Sequence, residues 1–170
     1  MKYTTEAILK IPKINIEYPV LSATSDALLF VSLNKYWGPQ PNEVGNYCIV
    51  GHYYENGKMF GKLHKLKNGD KAELTDLSGN TLKYQVYNKY VVEPTDTRCT
   101  SQLTDGRKEL TLITCTNGGK QRLVVKLRQV LYKKNNPKIT KKLYFLVILW
   151  YNSIVGFEKP NIRIGGYKDV

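Results

Sequence analysis

The chain has no long uninterrupted hydrophobic run. Its longest apolar stretch, Leu143–Tyr151, reaches Phe157 only by crossing three polar or small residues. As a helix, the 15 residues from 143 to 157 would span about 22 Å, which is short of a hydrocarbon core of about 30 Å. The first residues, Met1–Glu6, lack the apolar segment that a secretory signal peptide needs. We therefore expect neither a membrane span nor a leader in this sequence.

Cysteine is also scarce. The three thiols, Cys48, Cys99 and Cys115, are too few and too scattered for a disulfide framework, and no CxxC pair suggests a zinc site. One disulfide with one free thiol and a set of three free thiols both remain open.

Acidic residues are scarce in one part of the chain only. Lys and Arg number 26 against 14 Asp and Glu, a net charge of +12. Residues 1–119 hold 14 basic and 12 acidic side chains, whereas residues 120–170 hold 12 and 2. A basic tail suits nucleic acid, an anionic membrane surface or simple solubility.

The remaining pattern favours β-structure. Seven or eight short apolar segments recur at a spacing of 8–12 residues, with at most two brief helices, which predicts a β-sandwich or a closed barrel. Pro12 predicts that the first strand is an edge strand, Ser25 or Asp26 is the expected cap of a short helix, and Met59, Leu63 and Leu66 fit one helical face. The predicted strands are 7–16, 18–21, 46–52, 71–75, 81–92, 109–114 and 122–130, with loops at 37–42 and 94–107.

Three chemically capable side chains lie at the ends of different predicted strands. Cys115 ends the apolar segment Thr111-Leu112-Ile113-Thr114, His52 ends Asn46–Gly51, and Arg122 opens the strand after Gly118-Gly119. Each alone fits an ordinary role, as a buried thiol, a structural histidine or a solvated arginine. Together they supply a nucleophile, a proton donor and an oxyanion brace, which could meet at one rim of a barrel.

These segments resemble the sortases of Gram-positive bacteria. The resemblance rests on Thr111–Cys115 with Arg122, on Gly45–His52, and on an opening similar to the family's first strands, Ile11–Ile16 followed by Tyr18–Leu21. Order and spacing agree along roughly residues 7–130.

The resemblance implies an all-β fold, a closed eight-stranded barrel with one or two short helices. It implies a cysteine transpeptidase of the thiol-peptidase class that cleaves a C-terminal sorting signal of the LPxTG type on surface proteins and requires no cofactor. His52, Cys115 and Arg122 match the catalytic three, and Thr114 is expected to help Arg122 at the oxyanion. A cell-wall precursor or another protein would supply the acceptor amine at the outer face of the cell membrane.

Residues 131–170 lie beyond what the barrel at 1–130 needs. This basic and apolar extension suits contact with an anionic membrane surface, and packing of Leu143–Tyr151 on the barrel is the alternative. We expect truncation after Lys134 to leave the chemistry in solution intact. The family's usual membrane anchor is not evident in the sequence. The lack of an Asp-Pro-aromatic motif and the short 94–107 connection favour a class D-like sortase.

Two other functions compete with this interpretation. An OB-type barrel could bind nucleic acid with the positive charge and the tyrosine faces, although the excess charge follows residue 119 rather than a strand face. A simple cysteine peptidase would use the same thiol and imidazole and end with water as the acceptor.

Overall fold

The computed structural model describes residues 3–131, in which a single β-sheet closes on itself. The eight strands are β1 Thr5–Ile11, β2 Ile16–Leu21, β3 Leu33–Trp37, β4 Gly45–Val50, β5 Lys71–Asp76, β6 Thr81–Val92, β7 Lys108–Thr116 and β8 Gln121–Gln129. One α-helical turn, α1, covers Asp26–Leu29, and short 3₁₀ turns lie at Pro12–Ile14, Leu63–Lys65, Arg98–Thr100 and Asn117–Gly119. The prediction of a closed eight-stranded barrel is confirmed.

The order of strands around the barrel is β1-β2-β3-β4-β7-β8-β6-β5. Most neighbours are antiparallel, but β4 runs parallel to β7, with Val50 paired to Ile113. β8 returns antiparallel to β7 and lies between β7 and β6. Strands β4, β7 and β8 are therefore adjacent, so the ends of these three strands can share one site.

The sheet has two buried faces in this region. Leu110 and Leu112 of β7 belong to the main core inside the barrel. Because side chains alternate along a strand, Ile113 points to the other face, where it packs with Val124 of β8 and Cys99. The connection between β6 and β7 thus covers the outer face of the barrel and does not trail in solvent.

The prediction from Pro12 that the first strand is an edge strand is wrong. β1 ends at Ile11 and pairs on one side with β2 and on the other with β5. Pro12 begins the 3₁₀ turn that follows, where its missing N–H costs nothing, and Asn15 closes the turn with a φ of 53°. Because the sheet closes into a barrel, β1 has a neighbouring strand on both sides. The local sequence pattern does not indicate this closure.

The helix predicted from Met59 to Leu66 is also wrong, although the residues on its predicted face are buried. Only Leu63–Lys65 forms a 3₁₀ turn, while Met59 has a φ of 44° and makes a bridge with Tyr53. Met59, Leu63 and Leu66 nevertheless all pack in the main core. Apolar spacing identified the buried side chains but did not distinguish a helix from a compact turn.

The predicted strand 7–16 stops at Ile11, and one strand was missed, whereas the other predicted strands match β2 and β4 to β8 to within two residues at either end. Ser25 caps α1, with its Oγ accepting a hydrogen bond from the Leu28 N–H at 3.3 Å. No pattern in the sequence predicts β3, Leu33–Trp37. The predictions for the C-terminal extension, including those for Leu143–Tyr151 and for truncation after Lys134, concern residues outside the described part of the chain. Within residues 3–131, no helix is both long and apolar enough to span a membrane.

Candidate active site

The hairpin between β7 and β8 places Cys115 directly opposite Arg122. The chain reverses through Asn117–Gly119, where Gly118 and Gly119 have φ values of 63° and 88°. Glycine adopts this left-handed region without the strain that a side chain would bring. Paired residues point to the same face of a sheet, so the side chains of Cys115 and Arg122 leave the same face of the hairpin. Their catalytic roles stay a prediction.

Arg122 is partly fixed by its own hairpin. Its Nη1 donates hydrogen bonds to the carbonyl oxygens of Gly119 at 2.8 Å and Gln121 at 3.1 Å. Its other guanidinium N–H groups make no hydrogen bond within residues 3–131. One edge of the planar group is thus held by the backbone, and the remaining donors can face a ligand.

His52 comes level with Cys115 from the other side of β7. β4 and β7 pair in register up to Val50 and Ile113, and the Gly51 N–H then donates to the Ile113 carbonyl at 3.1 Å. His52 follows Gly51 and Cys115 follows Thr114, so these two residues lie at the same level on neighbouring segments. Cys115 is therefore flanked by the strand of Arg122 and by the segment that carries His52.

The His52 ring is half-buried between two aromatic side chains. Its centroid lies 4.8 Å from that of Phe30 and 5.5 Å from that of Tyr54. Nε2 is buried and has no hydrogen-bond partner among the described residues. Buried polar atoms without a partner are rare in folded proteins, so Nε2 marks His52 as a candidate functional group.

Gly51 allows neighbouring side chains to pack closely against the backbone just before His52. A Cβ at this position would lie 2.5 Å from Cδ2 of Leu33 and 2.9 Å from Cδ2 of Phe60. The absence of a side chain therefore allows β3 and the loop after β4 to close around the strand end.

Thr114 contacts the same segment. Its buried Oγ1 donates to the carbonyl oxygen of Gly51 at 2.8 Å. Along β7 it points to the opposite face from Cys115. The help that Thr114 was expected to give Arg122 stays a prediction; the contact in the structure aligns β7 with the segment before His52.

An apolar groove leads to Arg122 along the outer face of the sheet. It has a volume of about 240 Å³. Its lining includes the apolar residues Val50, Val92, Pro94, Ile113 and Val124 and the polar residues Asp96, Thr97, Thr100 and Arg122. The β6–β7 connection forms the polar wall, so the position of that connection determines the width of the groove.

Asn46 fastens this connection to the sheet. Its Nδ2 donates to the carbonyl oxygens of Cys99 at 3.0 Å and Ser101 at 3.1 Å, and its Oδ1 accepts from the Thr111 hydroxyl at 2.6 Å. The Gln102 side-chain amide accepts a hydrogen bond from the Asn46 N–H and donates one to the Asn46 carbonyl oxygen. One buried amide thus holds the groove wall against β4 and β7.

Lys126 reinforces the same contact from β8. Its Nζ donates to the Cys99 carbonyl at 3.1 Å and to Thr111 Oγ1 at 2.8 Å, and lies 3.6 Å from Glu109 Oε2. Since both Lys126 and Glu109 are largely buried, the ion pair and hydrogen bonds are needed to compensate for desolvation.

Replacement of Asn46 by alanine should destabilise the barrel. The change leaves the partly buried Ser101 carbonyl without a donor and the buried Thr111 hydroxyl without its acceptor, and we expect the free energy of unfolding to fall by about 2–4 kcal/mol. Urea denaturation measures the loss. Asn68→Ala, at an exposed position, is the matched control and should change stability by no more than about 0.5 kcal/mol. Equal stability of the two variants would show that the network does not hold the wall.

The three cysteines are all unpaired and differ in access. Cys48 and Cys99 are buried and Cys115 is half-buried. Burial raises the pKa of the Cys48 thiol to about 12, and burial also raises the pKa of Cys99. Two of the thiols are therefore held in the protonated, less reactive form.

Alkylation of the native protein should consequently mark Cys115 first. A brief treatment with iodoacetamide is expected to modify Cys115, whereas Cys48 and Cys99 should react only after unfolding in urea. Peptide mapping by mass gives the order of labelling. Labelling of Cys48 ahead of Cys115 in the folded protein would contradict this arrangement.

Sequence reasoning missed several residues around the thiol. Glu55 and His64 line a second cleft together with Cys115, and neither lies in a segment whose pattern marks a site. Lys126 did carry a signal, since it interrupts the apolar segment Leu123–Leu127. A charge in the middle of a buried strand calls for a partner, although the sequence does not say which.

Comparison with known proteins identifies the family. The sortase domain model matches residues 9–130, and the chain belongs to the sortase family. It is 32% identical over 108 residues to sortase A of Listeria monocytogenes, a match covering 63% of this chain and 47% of that protein. The chain thus spans about half the length of the curated relatives it matches.

Solved sortase structures of different classes share the fold. Sortase C-1 of Actinomyces oris has a TM-score of 0.67 and 30% identity, over 74% of each chain. A sortase D5 transpeptidase of Clostridium perfringens has a TM-score of 0.68 and 29% identity, over 75% of this chain and 79% of that one. Classes A, C and D are all similar, so the class D-like assignment is not confirmed. An eight-stranded sortase barrel also replaces the five-stranded OB barrel considered above.

Proposed function

We propose that this protein is a cysteine transpeptidase that cleaves a C-terminal sorting signal of the LPxTG type and joins the new carboxyl end to an amine. The observation that carries the proposal is the cross-strand pair of Cys115 and Arg122, with His52 arriving on the other side of β7. A nucleophile, a proton carrier and a fixed cation on three adjacent chain segments are the groups that acyl transfer from a peptide bond requires.

The first half of the reaction forms a thioester. His52 takes the proton of the Cys115 thiol as the sulfur attacks the carbonyl carbon of the signal's threonine. The free donors of Arg122 stabilise the negative oxygen of the tetrahedral intermediate. His52 gives a proton to the departing amine as the C–N bond breaks. The acyl group then remains on Cys115.

The second half reverses the roles. An acceptor amine attacks the thioester carbon, the C–S bond breaks, and His52 takes a proton from the amine. The proton passes from His52 to the departing sulfur, which regenerates the thiol, and the product with its new amide bond is released. In a simple cysteine peptidase, water would take the place of the amine at this step.

The apolar groove beside Arg122 suits the first residues of such a signal. Its floor of Val50, Ile113 and Val124 offers apolar contact to a leucine side chain, and it ends at Arg122, the cross-strand partner of Cys115. Its wall is held by Asn46 and Lys126, so the groove is preformed. We infer that this groove holds the residues that precede the scissile bond.

A panel of fluorescent pentapeptide signals tests the proposal. Each peptide is incubated with the protein, with and without an added primary amine, and the products are separated by mass. A product that carries the amine supports a transpeptidase, and the preferred peptide would test the class D-like assignment. Hydrolysis alone at every amine concentration would favour the simple peptidase, and no cleavage of any peptide would contradict both.

The natural partners and location follow as proposals from the family. Surface proteins with a sorting signal would be the donors, and a cell-wall precursor or another protein would supply the amine. These reactions would take place at the outer face of the membrane of a Gram-positive bacterium.

A further inference from the structure

A second cleft, distinct from the apolar groove, also reaches the thiol. It has a volume of about 560 Å³ and is lined on one side by Cys115, Asn117 and Gly118 and on the other by Glu55 and His64. Arg122 lines the groove but not this cleft, and Cys115 lines the cleft but not the groove. The cross-strand pair therefore separates two spaces, one on each side of the reacting position.

The cleft is suited to a cation. Among the described residues that line this cleft, Glu55 is the only one with a full formal charge at neutral pH. The protein as a whole carries a net charge of +12. A carboxylate in an otherwise neutral cleft next to the nucleophile would favour a positively charged ligand over an anionic one.

His64 is exposed but held in place. It lies in the 3₁₀ turn between Leu63 and Leu66, both fully buried in the core. Lys89 Nζ donates to the carbonyl oxygens of His64 and Leu66, each at 2.7 Å. The backbone that carries the imidazole is thus fixed on both sides.

The loop that carries Glu55 is packed against the chain leading to His64. A Cβ on Gly61 would lie 1.9 Å from the Tyr54 carbonyl oxygen, so glycine is required for this close approach. The bridge between Tyr53 and Met59 closes the same loop. Glu55 and His64 are consequently presented together from one tightly folded segment.

We propose that this cleft is the acceptor site and that it binds a primary aliphatic ammonium group, with Glu55 pairing with the charge and His64 receiving a proton. The inference rests on the transpeptidase function proposed above. An ammonium nitrogen carries three protons and the amide product keeps one, so two must leave. His64 takes the first, which yields the free amine, and His52 takes the second as the C–N bond forms and the C–S bond breaks.

Two acceptors with different charge test this assignment on the intact protein. 1,5-Diaminopentane is cationic at neutral pH, whereas hydroxylamine is largely neutral and attacks thioesters without needing a carboxylate. With a fixed donor peptide, Glu55→Gln should raise the half-saturating concentration of the diamine roughly fivefold. The rates of thioester formation and of hydroxylamine capture should stay at the parental level.

His64→Gln should slow capture by saturating diamine by at least about tenfold and again spare hydroxylamine. Glu17→Gln removes an exposed carboxylate on β2 that lines neither space, and it should behave like the parent. The selective loss with the diamine is a result that a merely structural role of Glu55 would not produce.

The outcomes separate the two proposals. If the parent forms a thioester and Glu55→Gln captures the diamine normally, the acceptor site is wrong and the transpeptidase stands. If Glu55→Gln slows both acceptors equally, Glu55 has only a structural role and the acceptor site is again wrong. If the parent forms no thioester, the proposed function itself fails.

Discussion

Cleavage of a sorting peptide should disappear when Cys115 is replaced by alanine, while the barrel stays folded. The sulfur is the proposed nucleophile, and no other described thiol has access, since Cys48 and Cys99 are buried. Cys115 is half-buried near the end of β7, so loss of its sulfur opens little core volume. Fluorescent peptide turnover measures the activity, and thermal unfolding measures the fold.

Cys48→Ala is the matched control for loss of a thiol. Cys48 lies within β4, four residues before His52, and is fully buried, so this variant should lose some stability and keep its peptide turnover. Parental turnover in Cys115→Ala would show that the enzyme does not use this thiol.

Arg122→Lys should reduce kcat/KM on the order of a hundredfold to a thousandfold, although the charge is kept. The guanidinium already uses Nη1 to bind the Gly119 and Gln121 carbonyls, and its planar shape leaves other donors for the oxyanion. An ammonium group is a point charge that cannot serve both the backbone and the substrate in this way. Steady-state kinetics with the preferred peptide measure the loss.

Arg107→Lys serves as the control, because Arg107 is an exposed arginine in the turn before β7. It should retain the parental kcat/KM. An Arg122→Lys variant within about threefold of the parent would assign Arg122 to the surface rather than to the oxyanion.

Local patterns predicted the parts of the site that depend on neighbouring residues. Two glycines between apolar segments predict a tight return, and the return places Arg122 opposite Cys115. The Asp76–Asn80 turn between β5 and β6 follows from its Asp, Ser, Gly and Asn residues, which favour turns. Each of these inferences needs only a few consecutive residues and the alternation of a strand.

The long-range part of the site was not predictable from pattern alone. Val50 and Ile113 are far apart in sequence, and their pairing brings His52 level with Cys115 only because β4 lies beside β7 in the closed barrel. The resemblance to the sortases supplied that arrangement. Nothing in the spacing of Glu55 or His64 indicates that both would line a cleft with Cys115.

Burial was easier to predict than the shape of the backbone. Met59, Leu63 and Leu66 are core residues, as their spacing indicated, but the chain reaches the core through a bridge and a 3₁₀ turn. A φ of 44° at Met59 breaks any helix at that point. Tertiary packing of this loop against Gly61 outweighs the helical periodicity of the sequence.

The most direct test of the account is the mass of the protein during its first turnover. The protein is mixed with a cleavable signal peptide, quenched in acid within the first turnover and weighed intact. We expect a mass gain equal to the peptide up to its threonine, located on the Cys115 peptide and removed by hydroxylamine. Cleaved peptide without any adduct on Cys115, or an adduct on another residue, would contradict the account.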